Sequence, residues 1–321
     1  MNRKRGYLLI VLTGLIFSTT EAALKLLAGQ FAPMQLTVER VLIGALCLLP
    51  FALRDCRRRG SVITGRDRLY FAANGFVAVA IQMTFLQLAV MEIDASAAAA
   101  LYSGSPIFSL LFAHFLLREP IRKNHIAALA LMTAAILLIV NPVHWEMSPR
   151  GFAYIMLATV SFGAYSTLCK LRLDRFSGIT IACFALLCGG LEMLAVLLLG
   201  RSEAVAALYE RAGLGIFARV PLTSGFTAAS ALALLYVGIV VAGVGFFLTA
   251  QITKDTSATE ASFVYLLKPV FAAALAAAVL HEHISANRML GIAIYIAASL
   301  CVSIPLLREM KKEPGALRDH I

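Results

Sequence analysis

Apolar runs alternate along the whole chain with short polar segments that are mostly basic. The runs cover roughly 6–28, 33–53, 69–91, 95–117, 125–141, 150–171, 178–199, 226–250, 258–280 and 284–306. Most are close to the ~20 residues that a helix needs to cross the hydrocarbon core of a bilayer. Each run predicts a helix, because an isolated strand facing lipid would leave its backbone groups unpaired. Period-two alternation is absent, which argues against a β-barrel. The fold class expected is therefore an all-α membrane protein with ten transmembrane helices.

The chain also repeats itself. At an offset of 145, Arg5-Gly6 falls on Arg150-Gly151, Phe17 on Phe162, Lys25 on Lys170 and Phe31 on Phe176. At an offset of 163, Ala95-Ser96 falls on Ala258-Thr259, Tyr102 on Tyr265, Pro106 on Pro269, Phe108 on Phe271, Glu119 on Glu282 and Asn124 on Asn287. One insertion between the matched blocks reconciles the two offsets. Five spans per copy is an odd number, so the second copy runs through the membrane upside down. The expected organisation is two inverted five-helix repeats, residues 1–145 and 146–321, the second with a charged cytoplasmic tail. Inverted repeats around a midplane site are a common architecture of secondary transporters.

Composition agrees with this pattern. Hydrophobic residues make up 60% of the 321 positions and charged residues 14%, well away from the balance of a soluble domain. The formal net charge of +10 is spread over short connectors and not over one amphipathic face, so a nucleic-acid partner is not expected. With the N-terminus inside, 20 of the 28 Lys and Arg residues lie on the inner side, five on the outer side and three (Lys25, Arg40 and Lys268) within spans. That asymmetry puts both termini in the cytoplasm. The Arg3-Lys4-Arg5 start imitates a signal peptide, but its apolar run is long and is read as an uncleaved first span. The connector at about 200–225 is expected to be a solvated link, with a short surface helix as the alternative. The six cysteines form no CxxC and read as small buried residues.

The order of these features resembles the drug/metabolite transporter superfamily, and within it the ten-span EamA-type transporters. The first span reads FSTTEAALK and runs on into QFAPMQLTVER, with Lys25, Pro33 and Arg40 standing where the family has a lysine, a proline and an arginine. Phe17-Ser18 replaces the tryptophan-containing start that is typical there. The blocks from Pro106 to Asn124 and from Pro269 to Asn287 resemble the family's proline-to-glutamate signature, with 13 residues from proline to glutamate in both copies. Gly291 holds the glycine that follows, and Ala128 takes its place in the first copy. Lys268 occupies a position that is often acidic in relatives. The resemblance implies a multi-pass carrier of small metabolites, commonly amino acids, amines or related compounds, in a bacterial inner membrane.

Charges inside the spans are the candidate chemistry. Lys268 sits near the middle of its span, about 15 Å from either end at 1.5 Å per residue. A cation there costs ~2.5–3.5 kcal/mol or more and is too deep to snorkel fully. Pro269 leaves the Tyr265 carbonyl without its usual donor, so a polar cavity beside Lys268 is expected. Lys268, Tyr265, Tyr102, Glu21, Gln82 and Asn74 form the expected substrate-binding set. Lys25, Lys170, Arg40, Pro106, Pro269, Glu119 and Glu282 are read as gating or structural. Arg40 is expected to bond carbonyls or Glu21 within the bundle. Glu192 has two candidate partners, Arg40 and Lys268. Glu119 and Glu282 are expected to cap the helix that follows each of them. A buried carboxylate such as Glu21 is a candidate proton carrier.

The expected function is a secondary transporter, an exporter or exchanger, that moves a small metabolite such as an amino acid or related zwitterion by alternating access. Carriage of organic cations, amines or drugs, with Glu21 as the anion, is the alternative. A membrane-embedded enzyme or a receptor subunit ranks lower, since no HExxH, Ser/Lys dyad, paired aspartates or phosphate-cradling glycine loop is present. No catalytic residue, metal or cofactor is expected. The expected partners are a small-molecule substrate, the lipid bilayer and protons as a coupling ion, with a monomer or weak dimer as the assembly.

Overall fold

A backbone buried in lipid must satisfy its own N–H and C=O groups, and the computed structural model does so with helices. It describes the backbone of residues 3–118, 120–121, 123–140, 147–255 and 263–312; the side chains of 3–7, 123–125, 250–251, 253–255, 263, 265–267, 299 and 301–312 lie outside that description. The first half contains α1 (Arg3–Ser18), α2 (Thr20–Leu27), α3 (Pro33–Arg59), α4 (Gly65–Gly75), α5 (Thr84–Glu92), α6 (Ala95–Tyr102), α7 (Ser105–Leu117) and α8 (Lys123–Val140). The second contains α9 (Pro149–Lys170), α10 (Gly178–Leu199), α11 (Glu203–Arg211), α12 (Ala228–Leu235), α13 (Gly245–Asp255), α14 (Phe263–Leu280) and α15 (Ala286–Lys312). Among the described residues the only extended pairing is a single bridge between Ala28 and Phe31.

Seven of the described helical stretches are long and apolar enough to cross a membrane, and three shorter apolar helices lie at Ile126–Val140, Lys268–Leu280 and Ala286–Ala298. Their outward faces are apolar too. Leu8, Leu69, Phe115 and Leu232 stand well exposed, as side chains that face lipid do.

Two stretches are continuous helices with a wider middle. A π-helical segment at Phe76–Met83 joins α4 to α5, and another at Tyr236–Val244 joins α12 to α13. Such segments re-aim side chains and are frequent at functional sites. Both stretches begin with a capping box. Thr64 and Asp67 cap each other's backbone N–H groups at the start of α4, and Thr227 and Ser230 do the same at α12. Asp67, fully buried, also accepts from Arg175 Nη1 at 3.1 Å, which pins this corner to the α9–α10 turn.

Glycines set the closest helix approaches. A Cβ on Gly75 would sit 2.5 Å from the Ala185 carbonyl, and one on Gly189 would sit 2.3 Å from the Gly75 carbonyl. Across the bundle, a Cβ on Gly44 would meet Ala242 at 2.6 Å and the Gly238 carbonyl at 3.1 Å. Helices approach this closely only where the side chain is missing.

Two sequence expectations change. The span 95–117 is not one helix: it breaks at Ser103-Gly104, and Pro106 stands in the first turn of α7. Tyr295 on α15 donates its hydroxyl to the Ser103 carbonyl at that break. Residues 200–225 are not a plain solvated link. They form α11 and a short 3-10 turn, Gly215–Phe217, with Ala206 and Val220 buried beneath them. Arg219 holds this cap together by donating to Glu203 at 2.8 Å and to Glu210. The guanidinium keeps the Glu203 carboxyl below the ordinary glutamate range.

Candidate functional site

The first span breaks where its hydroxyl run stands. Ser18 Oγ lies 2.5 Å from the Gly14 carbonyl, Thr19 Oγ1 2.7 Å from that of Ile16, and Thr20 Oγ1 2.7 Å from that of Phe17. Three successive back-bonding hydroxyls compete with the helix ladder and bend it. The break separates α1 from α2 at Thr19. Ser18 Oγ also reaches the Lys268 carbonyl at 3.0 Å, and Thr19 Oγ1 meets Tyr236 Oη at 2.7 Å. The bend is thereby fastened to α14 and to the π segment of Tyr236–Val244.

Just past the bend, Glu21 meets Lys268. Lys268 Nζ donates to Glu21 Oε1 at 2.6 Å, although the two residues are 247 positions apart. Glu21 has no exposed surface and Lys268 is 3% exposed. The same ammonium lies 4.5 Å from the centroid of the Tyr102 ring, in reach of a cation–π attraction. Gln82, in the first π segment, donates its Nε2 to Tyr102 Oη at 2.9 Å. The Tyr102 ring packs on Phe162, with centroids 5.2 Å apart. Four of the six expected substrate-binding residues, Lys268, Glu21, Tyr102 and Gln82, thus form one cluster. Residues from both halves build it.

Arg40 belongs to this cluster. It is 5% exposed, and Tyr102 and Glu21 lie within electrostatic reach of its guanidinium. Its Nε and Nη2 have no hydrogen-bond acceptor, and neither Glu21 Oε2 nor Gln87 Oε1 has a donor. The expectation that Arg40 bonds carbonyls or Glu21 is corrected: it is near Glu21 but bonded to neither at those two atoms. In formal charge, Glu21 counts one negative against two positive, Lys268 and Arg40. A low-dielectric site with that excess favours an anionic group.

The other expected site residues lie elsewhere. Asn74 donates to Cys169 Sγ at 3.5 Å and keeps Oδ1 unbonded, about two turns along the helix from Gln82. The Tyr265 side chain and all of Glu119 lie outside the described residues. Glu192 pairs with neither candidate: Lys268 is held by Glu21, and Glu192 Oε2 is buried without a hydrogen bond. Pro269 stays inside α14, whereas Pro106 opens α7. Lys170 is exposed at the end of α9.

Three residues tie the helix ends together at one end of the bundle. Lys25 Nζ donates to the Ile93 carbonyl at 2.7 Å. Arg288 Nη1 donates to Asp94 Oδ2 at 2.5 Å. Glu282 accepts from the backbone of Ala95 and Ser96 and so caps α6, not the helix that follows it in sequence. That too is a correction. Two successive free N–H groups at a remote helix start offered a better seat for the carboxylate than its own neighbour did.

The hydroxyl run before Glu21 was the sequence signal for the bend. Thr64-Gly65-Arg66-Asp67 carried the sequence pattern of a capping box, whereas nothing local marked Tyr236 as the partner of the bend, nor the π segments.

Comparison with known proteins adds the family. A model of the EamA-like transporter family matches residues 4–141 and again 149–304. An uncharacterized transporter of Clostridium kluyveri is 33% identical over 306 residues, 92% of each chain. Protein PagO of Salmonella typhimurium is 23% identical over 286 residues, 88% of each chain. A solved crystal structure superposes with a TM-score of 0.61 over 95% of this chain and 98% of its own, at 18% identity, which is a likeness of fold.

Proposed function

This chain belongs to the EamA-like transporter family, and we propose that it carries a small zwitterionic metabolite such as an amino acid across the inner membrane by alternating access. It is a multi-pass membrane protein and a transporter, not an enzyme. The carrier's centre is the cluster of Glu21, Lys268, Tyr102, Gln82 and Arg40. One observation carries the proposal: a buried ion pair joins the two halves, beside a second cation with unbonded donors. Such a site is expensive to keep in a bundle that only needs to pack.

The cluster is shut from both sides in this arrangement, with Tyr102 at 7% the most exposed of its members. Substrate entry therefore requires the halves to move apart on one side. Inverted repeats supply that motion by exchanging the conformations of the two halves. Several paired features support this organisation, with ten spans and both termini in the cytoplasm. The capping boxes at Thr64 and Thr227 lie 163 positions apart, as do Gly75 and Gly238. Gly44 and Gly189 are 145 positions apart, and Gly44 packs on Gly238 as Gly189 packs on Gly75. The family model matches two stretches in tandem.

An exporter or exchanger is the direction we favour, with Glu21 available to take a proton when Lys268 releases it. Carriage of an organic cation fits less well, because the cluster's formal charge is positive. The deciding measurement is exchange in proteoliposomes, using a panel of labelled L-amino acids with and without a pH gradient. Saturable exchange that is lost in Lys268→Met supports the reading. Absence of flux for every member of the panel would overturn it.

A further inference from the structure

We propose that the Nε–Nη2 edge of Arg40 is the seat of the substrate's carboxylate; this rests on the carrier reading above. The two unbonded nitrogens lie on the same edge of the guanidinium, the side away from Cδ. Their N–H bonds are parallel and match the two oxygens of one carboxylate. An arginine kept for packing alone would be expected to spend these donors on carbonyls, as buried polar groups do. Arg40 keeps both donors free while 95% buried, on the third turn of α3, where Gly238 packs against its carbonyl.

No internal acceptor is bonded to these two donors, although Glu21 Oε2, Gln87 Oε1 and Glu39 Oε2 are also buried without a hydrogen bond. The neighbouring Glu39 accepts along its own helix, where Gln35 Nε2 donates to Oε1 at 2.9 Å, and its Oε2 is not bonded to Arg40. Glu21 gives Oε1 to Lys268 and keeps only Oε2 free. The unbonded atoms thus include two donors on the Arg40 cation and, in the ion pair, one acceptor on the Glu21 carboxylate. A molecule that carries a carboxylate and an ammonium on neighbouring atoms has the complementary set. Lys268 then serves as the fixed partner of Glu21 Oε1, and Arg40, not Lys268, receives the substrate's negative charge.

The experiment uses the purified full chain. Twenty L-amino acids and their C-terminal amides are compared as ligands by thermal stabilisation and by exchange in proteoliposomes. The amide keeps the ammonium and side chain but loses the charge that Arg40 would hold. At least one amino acid is expected to bind about 10- to 100-fold more tightly than its amide. In Arg40→Lys that preference should fall by about 10-fold, since the ammonium keeps the charge and loses the fork. In Arg40→Gln the acid and its amide should bind alike. A structural role alone would weaken both ligands together and leave their ratio unchanged. Should the wild-type chain exchange an amino acid and its amide equally well, or should the ratio survive in both variants, the carboxylate seat is wrong while the carrier stands. Should no amino acid bind or move, the carrier reading fails and the seat with it.

Discussion

Glu282 and Ser96 join the two halves of the molecule at one end of the bundle. Glu282 Oε2 accepts from the Ser96 amide at 3.1 Å and from its hydroxyl at 2.7 Å, while Oε1 takes the Ala95 amide at 2.7 Å. One carboxylate therefore satisfies the first free donors of α6 from a segment 186 positions away. Glu282→Gln should lower stability by about 1–3 kcal/mol, because one face of the amide presents donors to donors. Ser96→Ala should cost less, about 1 kcal/mol, since the backbone bonds remain. Thermal unfolding of the purified chain reads both; equal stability of Glu282→Gln and wild type would contradict the cap.

Glu21 and Lys268 should behave as a coupled pair. Removing either alone, by Glu21→Gln or Lys268→Met, leaves a buried charge without its partner and should cost about 3–5 kcal/mol. The double variant should be more stable than the sum of the two losses predicts. A double-mutant cycle on thermal unfolding gives the coupling, and strict additivity would show that the contact carries no energy.

Tyr102 offers a ring to Lys268 and a hydroxyl to Gln82. Tyr102→Phe keeps the ring over the ammonium and should cost only about 0.5–1.5 kcal/mol. Tyr102→Leu also removes the ring and should cost more, by about 0.5–2 kcal/mol. A larger loss for phenylalanine than for leucine would refute the ring contact.

Gly75 and Gly189 should not tolerate a methyl group. Gly189→Ala drives a Cβ into the backbone of the facing helix and should destabilise by about 1–3 kcal/mol, with a matching loss for Gly75→Ala. Gly65, which has nothing within 4 Å of such a Cβ, is the control position and should change far less.

Arg219 clasps α11 to the connector that follows it. Arg219→Ala should expose the bonds after Arg201 and Arg211 to trypsin, read as new fragments. Glu203 has its folded carboxyl held below the usual glutamate range by Arg219, so its share of the clasp is complete above that range. It is lost only as pH falls through the depressed value. Digestion at pH 5 and pH 7 should then give the same protection in the wild-type chain, and early loss at pH 5 would count against the clasp.

The helical character of the chain was legible because lipid leaves the backbone no other partner. Run length alone then places most helices to within a few residues. Lys268 and Glu21 were legible as candidates for the same reason: a charge in an apolar run has few cheap explanations. The break at Ser103-Gly104 was not, since Pro106 and Pro269 look alike in sequence, yet one opens a helix and the other sits within one. The short helix of 200–225 stood only as the alternative to a solvated link, because its stability comes from Arg219 reaching back to Glu203 and Glu210, a contact that periodicity does not report.

The sequence by itself determined that this is a membrane-embedded helical bundle with buried charges, because the preference of each segment for lipid or water is a local property. Only the tertiary structure decided which charges meet. Lys268 takes Glu21, Glu282 takes the start of α6, and Arg40 keeps one edge of its guanidinium unbonded. Those choices depend on how helices far apart in sequence pack side by side, and short-range patterns in the chain carry no record of that geometry.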